Sequence, residues 1–136
     1  MTQEEKINLS KVRMERAREC LEDARINLDN SRYKNAANRS YYAAFHAMRA
    51  VLALDSLDFK RHSGVISEFR RRYIKNGAFP LEMSAAIRIL FDARSQSDYD
   101  DFFVIAKEDV EQQVQYAVFV IQEIGLYLEE IWNAEN

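Results

Sequence analysis

Apolar residues recur every three or four positions along most of the chain, a spacing that predicts five helical segments. The first spans residues 2–30, with Leu9, Val12, Ala17, Cys20, Leu21, Ala24 and Leu28 on one broad stripe. Asn30, Ser31 and Arg32 should close it, because Asn and Ser compete with helical backbone bonds. The second, residues 33–54, is different in kind. Tyr41, Tyr42, Ala43, Ala44, Phe45, Ala47, Met48, Ala50, Val51, Leu52 and Ala53 leave it almost no polar face. Such a helix belongs at the centre of a bundle, or beneath both a core and a partner. A third helix is expected over residues 60–76, on Val65, Ile66, Phe69, Tyr73 and Ile74, with Asn76-Gly77 as its cap and Pro80 beyond. A fourth covers residues 81–95, after which residues 95–106 (SQSDYDDFFVIA) read as irregular. The last, residues 107–134, has the cleanest periodicity: Val110, Val114, Ala117, Val118, Ile121, Ile124, Leu128 and Ile131.

Composition narrows this to one architecture. Three glycines and one proline in 136 residues are too few for the tight turns of a sheet protein or for a glycine-rich phosphate loop. With 48% hydrophobic and 30% charged residues the chain is neither disordered nor membrane-spanning. The expectation is one all-α domain over residues 1–136, an up-and-down bundle of about five helices around a four-helix core. No repeat or linker suggests a second domain. The charged N-terminus is unlike a signal peptide, so a soluble cytoplasmic protein is expected. A single cysteine, Cys20, allows no internal disulfide and reads as a small buried thiol. Two separated histidines and that cysteine make no metal-ligand pattern; neither metal nor cofactor is expected.

Charge is unevenly distributed, although the net charge of −3 offers no global case for nucleic acid. Residues 57–76 carry Lys60, Arg61, Arg70, Arg71, Arg72 and Lys75 against two acids, and residues 98–111 carry six acids against Lys107. The two stretches are solvated helix faces, or attract one another within the chain, or the first is a phosphate-binding patch. His46 sits in the apolar second helix, as an interior histidine would. His62 follows Lys60 and Arg61, two cations that should lower its proton affinity. Arg39 and His46, seven apart, fall on nearly the same helical face. Arg94 and Asp98, four apart with Tyr99 adjoining, would pair if helix continued that far.

Three blocks in order, AANRSYYAAFHA (residues 36–47), HSGVISEF (62–69) and ARSQSDY (93–99), resemble the HEPN domain, most closely its small stand-alone bacterial and archaeal branch. The resemblance extends from about Arg16 to Tyr127. It implies a helical bundle that commonly dimerises and associates with RNA or nucleotides. Many such proteins are metal-independent endoribonucleases, often toxins paired with a small nucleotidyltransferase. Their active site is an Arg followed, after four to six residues, by a His near the start of a late helix, with two copies meeting across a dimer. Arg94 matches that Arg by position, but Asp98 and Tyr99 stand where the His would be. Arg39 and His46 have the family's spacing in the wrong block.

Cleaving RNA through its 2′-hydroxyl needs a proton acceptor, a proton donor and a cation on the phosphate. Arg94 can supply the cation, while Asp98 and Tyr99 are a weak base and a weak acid at their ordinary pKa values. The expectation is therefore a dimer that binds nucleotide, RNA or a nucleotidyltransferase partner, as part of a toxin–antitoxin-like pair. Its surface centres on Arg94, Asp98 and Tyr99, with Arg39, Tyr42, His46, Lys60, Arg61 and His62 as binding residues. An endoribonuclease toxin using Arg94 with Asp98, Tyr99 or His62 is the alternative, and a purely structural helical module the third reading. Dimerisation is expected because the second helix is more apolar than a monomer of this length should need, and sixteen aromatic residues are available for an interface.

Overall fold

A computed structural model describes residues 1–134. Among them are five helices and no strand: α1 (Gln3–Asp29), α2 (Tyr33–Ala53), α3 (His62–Phe69), α4 (Glu82–Tyr99) and α5 (Lys107–Ala134). A π-helical turn, Arg70–Ile74, extends α3. The all-α bundle expected from the periodicity is what forms.

Local chemistry sets the boundaries. Thr2 caps α1 reciprocally: its hydroxyl accepts from Glu5 N at 3.1 Å, and its own N–H donates to Glu5 Oε1 at 3.3 Å. The helix ends at Asp29, and Ser31 takes a left-handed φ of 60°. Gly77, at φ 87°, closes the π turn, where a side chain would be strained. Gly64 answers a different need, since a Cβ there would lie 3.1 Å from Phe59 Cβ.

α2 is the central element, lying against α1, α3, α4 and α5. Thirteen of its residues are buried, among them Tyr41, Met48, Val51 and Leu52. The apolar excess of α2 is thus covered within one chain, and it supplies no argument for a dimer. The core continues through Met14 and Ala17 of α1, Ile87 and Leu90 of α4, and Ile124 and Leu128 of α5. A smaller cluster, Ala36, Ala37, Ile105 and Val110, anchors the connection between α4 and α5.

Four expectations need correction. The buried stripe of α1 runs through Ile7, Ser10, Met14, Ala17, Cys20, Leu21 and Ala24, leaving Val12 61% exposed. Ser10 is affordable in that stripe because the Trp132 indole N–H donates to its hydroxyl at 3.1 Å. The third helix starts at His62 rather than Lys60, so Lys60 and Arg61 lie ahead of it and are exposed. The fourth continues four residues beyond Ser95, through Asp98 and Tyr99. The charged stretches do not pair with each other among the described residues: Arg71 and Arg72 meet Glu68, and Lys107 meets Glu111.

Candidate functional site

The longer α4 decides the geometry. Four residues apart on a continuous helix, Arg94 Nε and Asp98 Oδ2 are 2.9 Å from each other. The Nε–H is not directed along that line, so the contact is an ion pair rather than an aligned hydrogen bond. Its side chains are only 14% and 28% exposed, which distinguishes it from an ordinary surface pair. One Arg94 Nη donates to the Tyr42 hydroxyl at 3.3 Å. The guanidinium lies 5.3 Å from the Tyr41 ring, 5.6 Å from Tyr42 and 5.7 Å from Tyr99, within cation–π range of all three. Burial works against its charge, but Tyr42, Asp98, Tyr99 and Tyr41 outweigh it, and its pKa moves up. Arg94 is a permanent, oriented cation. Tyr99 is 77% exposed at the edge of this nest.

α2 supplies the other wall. Asn38 Nδ2 donates to Asp98 at 3.3 Å, and Asn38 Oδ1 accepts from Arg39 Nε and Nη2 at 3.0 and 2.6 Å. Arg39 is also 5.1 Å from the Tyr42 ring, while His46 lies 5.9 Å from the same ring. Tyr42 thus stands between Arg39 and His46 on the shared face that their spacing predicted. Arg39 Nη1 reaches to 3.8 Å from Cys20 Sγ, and burial pushes that thiol's pKa up. Asn38 had no chemical signal of its own in the sequence. Only the helical continuation of α4 brings Asp98 opposite it.

The histidines differ. His62, the first residue of α3, has Nδ1 2.9 Å from the Tyr41 hydroxyl and its ring centroid 4.2 Å from Phe45. The neutral imidazole meets the Tyr41 hydroxyl as acceptor or as Nδ1–H donor according to its tautomer, and burial holds that phenol protonated. The pKa of His62 is lowered first by burial, then by Arg94 and Arg49. The direction matches the sequence reading but the cause does not: Lys60 and Arg61 take no part. His46 is held down to about 4, by burial first and then by Arg16, Arg49, Arg39 and His62, and its Nδ1 is buried without a partner. It is a half-buried histidine rather than an interior one, with one ring nitrogen unsatisfied.

The structure therefore gathers Arg94, Asp98, Tyr99, Tyr42 and His62 around Tyr41, with Arg39 and His46 along the α2 flank. It gives Lys60 and Arg61 no contact with that group.

The sequence pattern of the HEPN domain matches residues 10–130. The chain belongs to the HEPN domain family. A UPF0332 protein of Thermotoga maritima is 34% identical over 119 residues, covering 88% of this chain and 90% of that protein. Two proteins of Methanocaldococcus jannaschii, each named "Putative toxin", are 32% and 30% identical. They cover 90% and 87% of this chain, and 85% and 87% of their own lengths. This HEPN chain thus keeps nearly the full span of relatives that bear toxin names, with an Arg–Asp–Tyr arrangement on α4. No helix among the described residues is long and apolar enough to cross a membrane.

Proposed function

We propose that this HEPN protein binds RNA or nucleotide as one half of a toxin–antitoxin-like pair, acting as a dimer beside a small nucleotidyltransferase. The contact surface is centred on Arg94, Asp98 and Tyr99. One observation carries the reading: Arg94 is fixed by Asp98 and three tyrosine rings while Tyr99 stays exposed. An oriented guanidinium beside an open aromatic ring suits a phosphate and its adjoining base. Phe102 and Val104, 94% and 88% exposed just beyond Tyr99, support a protein partner or second copy on the same side.

A second reading is favoured by His62, which meets Tyr41 while Arg94 packs on that same ring. With Nδ1–H donating to the Tyr41 oxygen, a neutral His62 leaves Nε2 free to take a proton from an RNA 2′-hydroxyl. That oxygen bonds to the adjacent phosphorus as the P–O5′ bond breaks, the 5′-oxygen leaves with a proton from solvent, and Arg94 holds the phosphate. The two readings separate in one assay, labelled single-stranded RNA followed by anisotropy and by gel. Binding without cleavage, weakened about tenfold or more in Arg94→Ala, supports the first. Cleavage lost in both Arg94→Ala and His62→Ala supports the second. RNA and nucleotides that neither bind nor break would refute both.

A further inference from the structure

A groove separates α3 from α4, one turn upstream of the Arg94 nest. Ser63, Ile66, Ser67 and Arg70 follow the i, i+3, i+4, i+7 spacing of a single α3 face. Arg88 and Phe91, three apart on α4, form the opposite wall of a cavity of about 280 Å³. Its apolar lining is Ile66 and Phe91; Ser63, Ser67, Arg70 and Arg88 complete it. Phe91 also contacts Tyr41 edge-on at 5.9 Å, so one ring separates the groove from the nest.

The two arginines are unlike their neighbours. Arg71 and Arg72 share Glu68, at 2.7 and 3.0 Å. Among the described residues no carboxylate lies within 4.0 Å of Arg70 or Arg88. Helical spacing accounts for the division: Arg71 and Arg72 lie three and four residues after Glu68, on its face, whereas Arg70 lies two after it. A π turn begins at Arg70, whose carbonyl accepts from Lys75 N at 2.8 Å, five residues on. Arg70 is held in place by one Nη donating to the Ser84 carbonyl at 3.1 Å, and its Nε is buried without an acceptor. Burial and the charge of Arg88 both lower the Arg70 pKa, against a smaller upward pull from Asp92. Two like charges facing one cavity, with only Asp92 to moderate them, favour a bound anion.

We infer that the α3–α4 groove is a nucleotide-binding site, in which Arg70 and Arg88 hold a phosphate that Ser63 and Ser67 complete, and Phe91 and Ile66 take the base. Two guanidinium groups and hydroxyl donors match phosphate oxygens, and the apolar lining suits a planar ring. A free mononucleotide and a 5′-phosphorylated RNA end share this chemistry. The inference relies on the reading above for its class of ligand, and on none of the same side chains.

The test is a titration of the isotope-labelled full chain, followed by amide chemical shifts. Its ligands are adenosine 5′-monophosphate, adenosine, and a short RNA with and without a 5′-phosphate. The monophosphate, the phosphorylated RNA or both should shift Ser63, Ser67, Arg70 and Arg88, and whichever does so identifies the source. Adenosine and the unphosphorylated RNA should bind at least about tenfold more weakly. Arg88 is exposed, so Arg88→Gln should keep the fold, visible as unchanged shifts in α1 and α5, while weakening binding by a similar factor. Arg94→Ala should leave the groove response intact even where it abolishes RNA binding at the nest. No groove shifts with either phosphorylated ligand would overturn the inference, as would adenosine matching the monophosphate or Arg88→Gln binding normally.

Discussion

Arg94 and Arg70 are both partly buried arginines, placed on either side of Phe91, and their surroundings are opposite. Arg94 has an internal carboxylate, a phenol hydroxyl and three aromatic faces. Arg70 has a backbone carbonyl, a second arginine across a cavity, and no carboxylate within pairing distance. The first is a cation the fold has oriented and shares with an internal carboxylate. The second is a cation whose compensation is left to solvent or to a ligand. Charge type is therefore a poor guide to function unless one asks who shares the charge.

That contrast predicts unequal costs of truncation. Arg94→Ala removes an ion pair with little exposure and several cation–π contacts, and leaves Asp98 with Asn38 alone. The expected loss of stability is about 2 kcal/mol, read from the urea midpoint. Arg70→Ala should cost about 1 kcal/mol, for one hydrogen bond to Ser84 and some stem packing. Equal losses would mean that the nest holds its arginine no better than the groove does.

Much of this fold was legible and much of the site was not, for the same physical reason. Long amphipathic stripes such as that of α5 depend on a helix's own spacing, so periodicity alone located it. The phase of α1 was misjudged because Val12 is apolar yet exposed, while Ser10 is polar yet buried under Trp132, 122 residues away. The end of α4 reads too early in the sequence because Ser95, Ser97 and Asp98 are weak helix formers. There Arg94 pairs with Asp98 along the helix, and Asn38 bonds Asp98 from α2. His62 meeting Tyr41, and Arg70 reaching the Ser84 carbonyl, depend on contacts between segments. Motif blocks point to residues; only tertiary packing says which of them touch.

Acid should also distinguish the two regions. His46 and His62 both line the nest's side of α2, and both have lowered pKa values, His46 down to about 4. The folded chain thus holds fewer protons than the unfolded one between the ordinary value of 6.5 and about 4, and stability must fall as pH drops through that window. After allowance for solvent reaching this half-buried ring, His46 should account for on the order of 1 kcal/mol at pH 5. His46→Phe, which also removes an unpartnered buried nitrogen, should flatten the dependence of the urea midpoint on pH between 7 and 5. A profile unchanged by that variant would place the acid sensitivity elsewhere.

The smallest effect on stability is expected where the comparison is most informative. Arg88 is exposed, pairs with no carboxylate among the described residues and contributes no hydrogen bond to the fold there. Arg88→Ala should change stability by less than about 0.5 kcal/mol in dilute salt without ligand. It should even gain slightly, because it relieves the repulsion that lowers the Arg70 pKa. Adding inorganic phosphate should then raise the urea midpoint of the parent chain more than that of Arg88→Ala, since an anion bound only to the folded state stabilises by mass action. The same addition should affect the parent and Asp98→Asn alike, because the nest's carboxylate does not face the groove. A phosphate response lost in Arg94→Ala but kept in Arg88→Ala would place the phosphate on the nest alone and leave Arg70 as a structural cation.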